Sequence, residues 1–183
     1  MLEITIPDVE IFISATNEFL TIKGGKVSLE HSLLSISKWE AKHHKYFLNN
    51  KTLTQSEILD YIRCMVVKST VDNRVFYYLD NRTLSAINDY MNDPMTATWF
   101  GSQNEGQPGN TVRGKIVTSE LLYYYMISFN IPMNCEKWHV NRLLTLIQVC
   151  QAEQNPVKLS GKALANRNTK LNEERLKRYH THG

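Results

Sequence analysis

Cysteine is scarce in this chain and does not pair off: its 183 residues contain three, Cys64, Cys135 and Cys150. An odd number, each lodged in an apolar helical pattern, argues against a disulfide framework and fits a reducing compartment, where a free thiol behaves as a small hydrophobe. Proline and glycine are few as well, 5 and 8 residues. With 21% charged residues and no low-complexity stretch, that scarcity excludes a wholly disordered chain. No apolar run approaches the ~20 residues that a bilayer span requires. Residues 1–20 carry Asp8, Glu10 and Glu18 and no basic start, so they do not read as a secretion signal. The expectation is a cytoplasmic protein with no membrane partner.

Catalytic signatures are missing too. There is no G-x-S-x-G elbow, and Cys64 sits among Ile62, Met65 and Val66 without an activating base. Gly24-Gly25 is not followed by the Lys-Ser/Thr of a phosphate loop, and the Gly-rich stretch 101–114, read as an exposed loop, does not lead into one. Cys135 and His139 stand four apart, as if on one helical face. A structural zinc needs four ligands, however, and no companion pair has fitting spacing. His43-His44, His180 and His182 read as solvated. The chain is therefore expected to be non-catalytic, with no metal and no cofactor.

What the chain does have is core-forming material: 42% hydrophobic residues, enough for one continuous core. We assign a single folded domain to 1–153 and a basic C-terminal tail to 154–183. From Lys158 onward seven Lys/Arg face two Glu, a net of +5, which leaves the preceding residues at −2. Such asymmetry marks a body with an interaction tail. The candidate partner-binding residues are Lys158, Lys162, Arg167, Lys170, Leu171, Arg175, Lys177 and Arg178. A helix there has almost no apolar face and needs a partner to be stable.

Within the body, Leu2, Ile4 and Ile6 alternate as a short strand that Pro7 ends. Phe19–Lys23 and Lys26–Glu30 flank Gly24-Gly25, which predicts a tight hairpin with Ile22 facing Val27 and Leu20 facing Leu29. Leu33, Ile36 and Trp39 form a helical stripe that exits through a solvated Lys42-His43-His44-Lys45. Thr54-Gln55-Ser56-Glu57 is a capping box ahead of Ile58, Tyr61, Ile62, Met65 and Val66. Val71–Leu79 suggests a strand, and Leu84, Ile87 and Met91 a helix that Asp93-Pro94 ends. Two more helices start at Thr118/Glu120 and Asn134/Glu136, joined tightly at Asn130-Ile131-Pro132 as an antiparallel helical hairpin. Leu122, Met126 and Phe129 line the first, and Val140, Leu143, Leu144, Ile147 and Cys150 the second. The fold class expected is α+β, mainly helical: an N-terminal hairpin or small sheet packed with a helical bundle, then an extended or helical tail.

Tyr123-Tyr124-Tyr125 point in different directions on a helix and cannot form one stacking platform for bases. The basic tail is interleaved with Asn and Glu, so nucleic acid is a disfavoured partner.

Several strings are similar to a known family. Leu122-Tyr123-Tyr124-Tyr125-Met126, Asn130-Ile131-Pro132 and the run Cys135-Glu136-Lys137-Trp138-His139-Val140-Asn141-Arg142-Leu143-Leu144-Thr145-Leu146-Ile147 resemble bacteriophage tail assembly chaperones of siphovirus type. So do the run Leu29 to Glu40, the run Asp93 to Thr98, and Leu171-Asn172-Glu173-Glu174-Arg175 in the tail. The resemblance implies a small protein of the host-cell cytoplasm, active during virion assembly. It would bind the long, hydrophobic, helical tape measure protein and keep it soluble while tail-tube subunits assemble. Family members are often made in two versions by translational frameshifting. Self-association and other tail proteins are further partner possibilities. The competing readings are a virion structural protein of the neck or tail-completion kind and a nucleic-acid-binding regulator using the tail.

Overall fold

A computed structural model describes residues 1–15, 17–98, 116–154, 165, 168, 169 and 171–176. The fold is α+β and mainly helical, with a three-stranded antiparallel sheet and a two-stranded one. In chain order come β1 (Leu2–Ile6), β2 (Val9–Ile13), β3 (Glu18–Ile22), β4 (Gly25–Leu29), α1 (Leu33–His43), α2 (Gln55–Cys64) and β5 (Val66–Ser69). A 3-10 segment (Asn73–Tyr78), α3 (Asn81–Asn92), α4 (Ser119–Ser128), a second 3-10 segment (Met133–Lys137) and α5 (Val140–Gln154) follow. The predicted loop 101–114 lies outside the described residues.

The N-terminal strands correct the sequence reading. β3 and β4 do not pair with each other: β1 pairs with β4 from Leu2↔Leu29 to Ile6↔Gly25, and β2 with β3 from Val9↔Ile22 to Ile13↔Glu18. Both ladders share one register, so residues 2–29 form a single long hairpin whose turn lies near Asn17, a residue with φ 55°. Pro7 and Gly24 interrupt it midway. Proline has no N–H to give a ladder, and a Cβ on Gly24 would lie 2.1 Å from the Ile6 carbonyl oxygen. Gly24-Gly25 is therefore a close backbone crossing rather than a turn. Asp8 secures it, accepting from the Gly24 N–H and the Lys23 ammonium, each at 2.8 Å. The apolar alternation also changes phase here, from Leu2, Ile4 and Ile6 to Val9, Ile11 and Ile13, which a straight strand could not accommodate on one face.

The inner half gains a third strand, β5, and packs on α3. Leu33, Ile36 and Trp39 of α1 are fully buried, as the stripe predicts, and Tyr61, Ile62 and Met65 face them from α2 and its end. The Trp39 indole N–H donates to the Glu57 carbonyl at 3.0 Å, and the Thr54/Glu57 capping box is formed. Ile58 stays exposed, and Val66 belongs to β5 rather than to the helix.

Three other expectations change. Val71–Leu79 holds no strand; Asp72 caps the Arg74 N–H and binds its guanidinium, winding Asn73–Tyr78 into a 3-10 turn that buries Val75 and Phe76. No helix starts at Asn134: Met133–Lys137 is a 3-10 turn, Trp138 is extended, and α5 begins at Val140. The link from α4 to α5 is thus longer than a tight Asn130-Ile131-Pro132 connection, and α4 packs chiefly on α1. Finally, His43 is not simply solvated. It stacks on Trp39, with centroids 4.4 Å apart, and hydrogen-bonds Asp60 at 2.7 Å.

Candidate interaction surface

Two places carry unusual chemistry, one inside and one outside. The inner one is where the family-like strings meet. His31, from the run Leu29 to Glu40, and His139, from the run Cys135 to Ile147, place their rings edge to face with centroids 5.2 Å apart. The Val140 N–H donates to the His31 carbonyl at 2.7 Å, and Ser32 bridges to His139. Asn141 donates its amide to the Met91 and Asp93 carbonyls, at 3.1 and 2.8 Å, tying the end of α3 to the start of α5. His139 uses Nε2 on the Tyr90 carbonyl at 3.0 Å, and Tyr90 donates its hydroxyl to Glu30 at 2.5 Å. His31 shares a hydrogen bond between Nδ1 and the Tyr61 hydroxyl.

Burial decides the electrostatics of this cluster. Burial, and secondarily the neighbouring His139, pushes His31 down to about 3, so the ring is neutral at physiological pH. Burial also lowers His139 and raises the Tyr61 phenol well above its usual range. Glu40, buried near the same core, accepts from the Phe47 N–H through Oε1 at 2.9 Å and from the Ser119 N–H through Oε2 at 2.7 Å. One carboxylate thus fixes the loop after α1 and the N-terminus of α4, where negative charge is favoured. Cys135 and His139 do not share a helix: the cysteine is in the 3-10 turn and the histidine precedes α5.

The outer place is the distal half of the hairpin. β2 and β3 make their principal contacts with each other. Phe12 and Phe19 face one another across the ladder, with centroids 5.1 Å apart, and remain 52% and 72% exposed. Ile13 beside them is also exposed. A second apolar strip runs along α4, where Tyr124 and Ile127, at i and i+3, stand outward with Met133 nearby in the chain. Tyr123 instead donates to Glu136 at 2.8 Å and Tyr125 packs on Phe129, so the three tyrosines diverge as the helical period requires.

Of the tail residues singled out by charge, two fall among the described ones. Residues 171–176 are helical, with Leu171 half-buried and Arg175 exposed. Lys158, Lys162, Arg167, Lys170, Lys177 and Arg178 lie outside the described residues. Composition alone did not single out Phe12 and Phe19; the alternation of Val9 to Ile13 was the available signal. No helix among the described residues is long and apolar enough to cross a membrane. Comparison with family models, with curated proteins and with solved structures found no match.

Proposed function

We propose that this chain is a non-catalytic binding protein of the tail assembly chaperone type, covering apolar helical stretches of a phage tape measure protein until the tail tube encloses them. What carries this reading is the distal hairpin, where paired aromatic side chains stand in solvent on an arm that has little packing of its own. Apolar groups displayed together in this way mark protein-binding surfaces. The strip on α4 adds a second contact of the same character. The resemblance supplies the partner's identity, and the basic tail, net +5, supplies a further arm of opposite charge to the body. Host-cell cytoplasm is the compartment this role requires.

The test is co-expression of a phage tape measure protein with and without this chain, followed by comparison of the soluble fractions and co-purification. A gain in soluble partner with co-purification is expected. Equal solubility and no co-purification would overturn the reading in favour of a virion structural role.

A further inference from the structure

Aromatic rings near the surface of this chain differ in what stands over them. Tyr77, on the first 3-10 segment, and Trp138, ahead of α5, each carry a guanidinium: Arg63 lies 5.1 Å from the Tyr77 centroid and Arg142 4.3 Å from that of Trp138. Arg63 also donates to the Tyr77 hydroxyl at 2.8 Å and lies 3.8 Å from the Asp60 carboxylate, so a ring and a carboxylate hold one guanidinium between them. Among the described residues no cation stands over Phe12 or Phe19.

The ladder register puts the other half of that arrangement on the arm. Alternation sets Asp8, Glu10 and Phe12 on one face with Lys23, Thr21 and Phe19, all of them exposed, while Val9, Ile11, Leu20 and Ile22 turn to the core. Glu10 stands two residues from Phe12, about 7 Å along the strand, and diagonal to Phe19. Lys23 is committed to Asp8: their hydrogen bond is the first cause of its raised ammonium, and the charge of Glu10 the last. Glu10 makes no ion pair among the described residues. Residues 8–23 carry three carboxylates against one ammonium, a net of −2.

We propose that this face of the arm receives an arginine side chain of a partner polypeptide, its guanidinium on the Phe12–Phe19 pair and its fork toward Glu10, with apolar neighbours covering the rest of the rings. The inference rests on the reading of the distal hairpin as the binding surface and adds the chemistry of what it binds. Charge selects the occupant. A wholly apolar segment would strip Glu10 of water with no opposite charge to receive it, and a second arm, itself at −2, would bring a like one. Shape then favours arginine over lysine, because a planar guanidinium stacks on a ring while its fork meets a carboxylate, whereas an ammonium is a compact, strongly hydrated point charge. The group of Arg63, Tyr77 and Asp60 is the same contact made within the chain.

The test is a nuclear magnetic resonance titration of the full chain with the blocked peptide acetyl-Ala-Leu-Arg-Leu-Ala-amide and its lysine and citrulline counterparts, citrulline being close to arginine in shape but uncharged. Saturable shifts are expected at the Phe12 and Phe19 rings, in the millimolar range for so short a peptide. The citrulline peptide should bind about fivefold more weakly and the lysine peptide about twofold. Glu10→Gln, a change at an exposed position, should weaken the arginine peptide about threefold and leave the citrulline peptide as it was. No saturable ring shift, equal binding of the arginine and citrulline peptides, or the same effect of Glu10→Gln on both would each overturn the proposal. Lysine binding as well as arginine would overturn the choice of a guanidinium. Ring shifts that appear on concentrating the chain alone would give the face to a second copy and overturn it too. Arginine-selective binding by a chain that leaves tape measure protein insoluble would remove the chaperone reading and keep this one. Soluble, co-purifying tape measure protein without peptide selectivity would do the reverse.

Discussion

The inner half of the hairpin, β1 with β4, and the outer half, β2 with β3, are built from the same alternation of apolar and polar residues in one register. Their fates differ. Ile6, Val27 and Leu29 are buried under α3 and beside β5, while Phe12, Phe19 and Ile13 stand in water. Local pattern therefore decides that these residues form strands, and tertiary neighbours decide which strands become core. The break at Pro7 and Gly24 is what lets one ladder serve both ends.

The comparison is broken most severely from the inside. Leu29→Ala removes a fully buried side chain in the inner half and should cost about 2–5 kcal/mol, read from a denaturant midpoint with an unchanged slope. A cost below about 1 kcal/mol would mean that the inner half is no more essential than the outer. Gly24→Ala tests the break itself. Its new methyl would meet the Ile6 and Pro7 backbone at 2.1–2.4 Å, so the strands must move apart, at a cost of about 1–3 kcal/mol. A cost within about 0.5 kcal/mol would mean that the two strands do not approach closely at Gly24.

Gly24 also shows why part of the fold was legible and part was not. A capping box and the stripes of α1 and α3 are local signals, set by residues within a few positions, and appear as the sequence indicates, while that of α2 holds at Tyr61, Ile62 and Met65 but not at Ile58 and Val66. Strand pairing is not local. Gly24-Gly25 between two apolar runs fits a tight turn, yet Val9 to Ile13 offers β3 a partner, and the longer hairpin satisfies more backbone groups. The start of α5 was misplaced for a related reason. Asn134 and Glu136 look like a helix start, but the His31 carbonyl claims the Val140 N–H, and that contact crosses more than a hundred residues. The inner cluster was illegible because His31, Tyr90 and His139 meet only after folding.

Acid should sharpen the comparison by acting on one end before the other. His31 is held neutral in the folded state at about 3, below the 6.5 of a free imidazole, so the unfolded chain takes up a proton first as pH falls. Stability is then full above about pH 6.5, declines at up to about 1.4 kcal/mol per unit below it, and reaches its floor near pH 3. At pH 5 the body should have lost about 1–2 kcal/mol, and His31→Phe should flatten that slope. The Asp8 carboxyl at the crossing shifts the same way but titrates over a more acid range. Lys23, and then the Gly24 N–H, lower the Asp8 carboxyl below its usual 3.8, so this contact is lost only in stronger acid. An unfolding midpoint that stays flat from pH 7 to pH 5 would remove His31 from the account of the core.

The smallest effect on stability should come with the largest on binding, and it falls on the outer half. Phe12→Ser with Phe19→Ser removes a ring pair that is mostly in water already, and so gives up little burial. Exposed positions of this kind usually shift stability by no more than about 0.5 kcal/mol, to which loss of the cross-strand aromatic contact adds about 0.5–1 kcal/mol. The inner half does not feel the change, because the crossing at Gly24 separates the two ladders. A partner that docks on the arm does feel it, since paired aromatic anchors carry much of the energy of such contacts. The double variant should thus melt within a few degrees of the unaltered chain while keeping far less tape measure protein in solution. If the two changes leave that solubility intact, the apolar strip of Tyr124 and Ile127 on α4 becomes the surface to alter next, and the arm is left as an extension of the sheet with no part in binding.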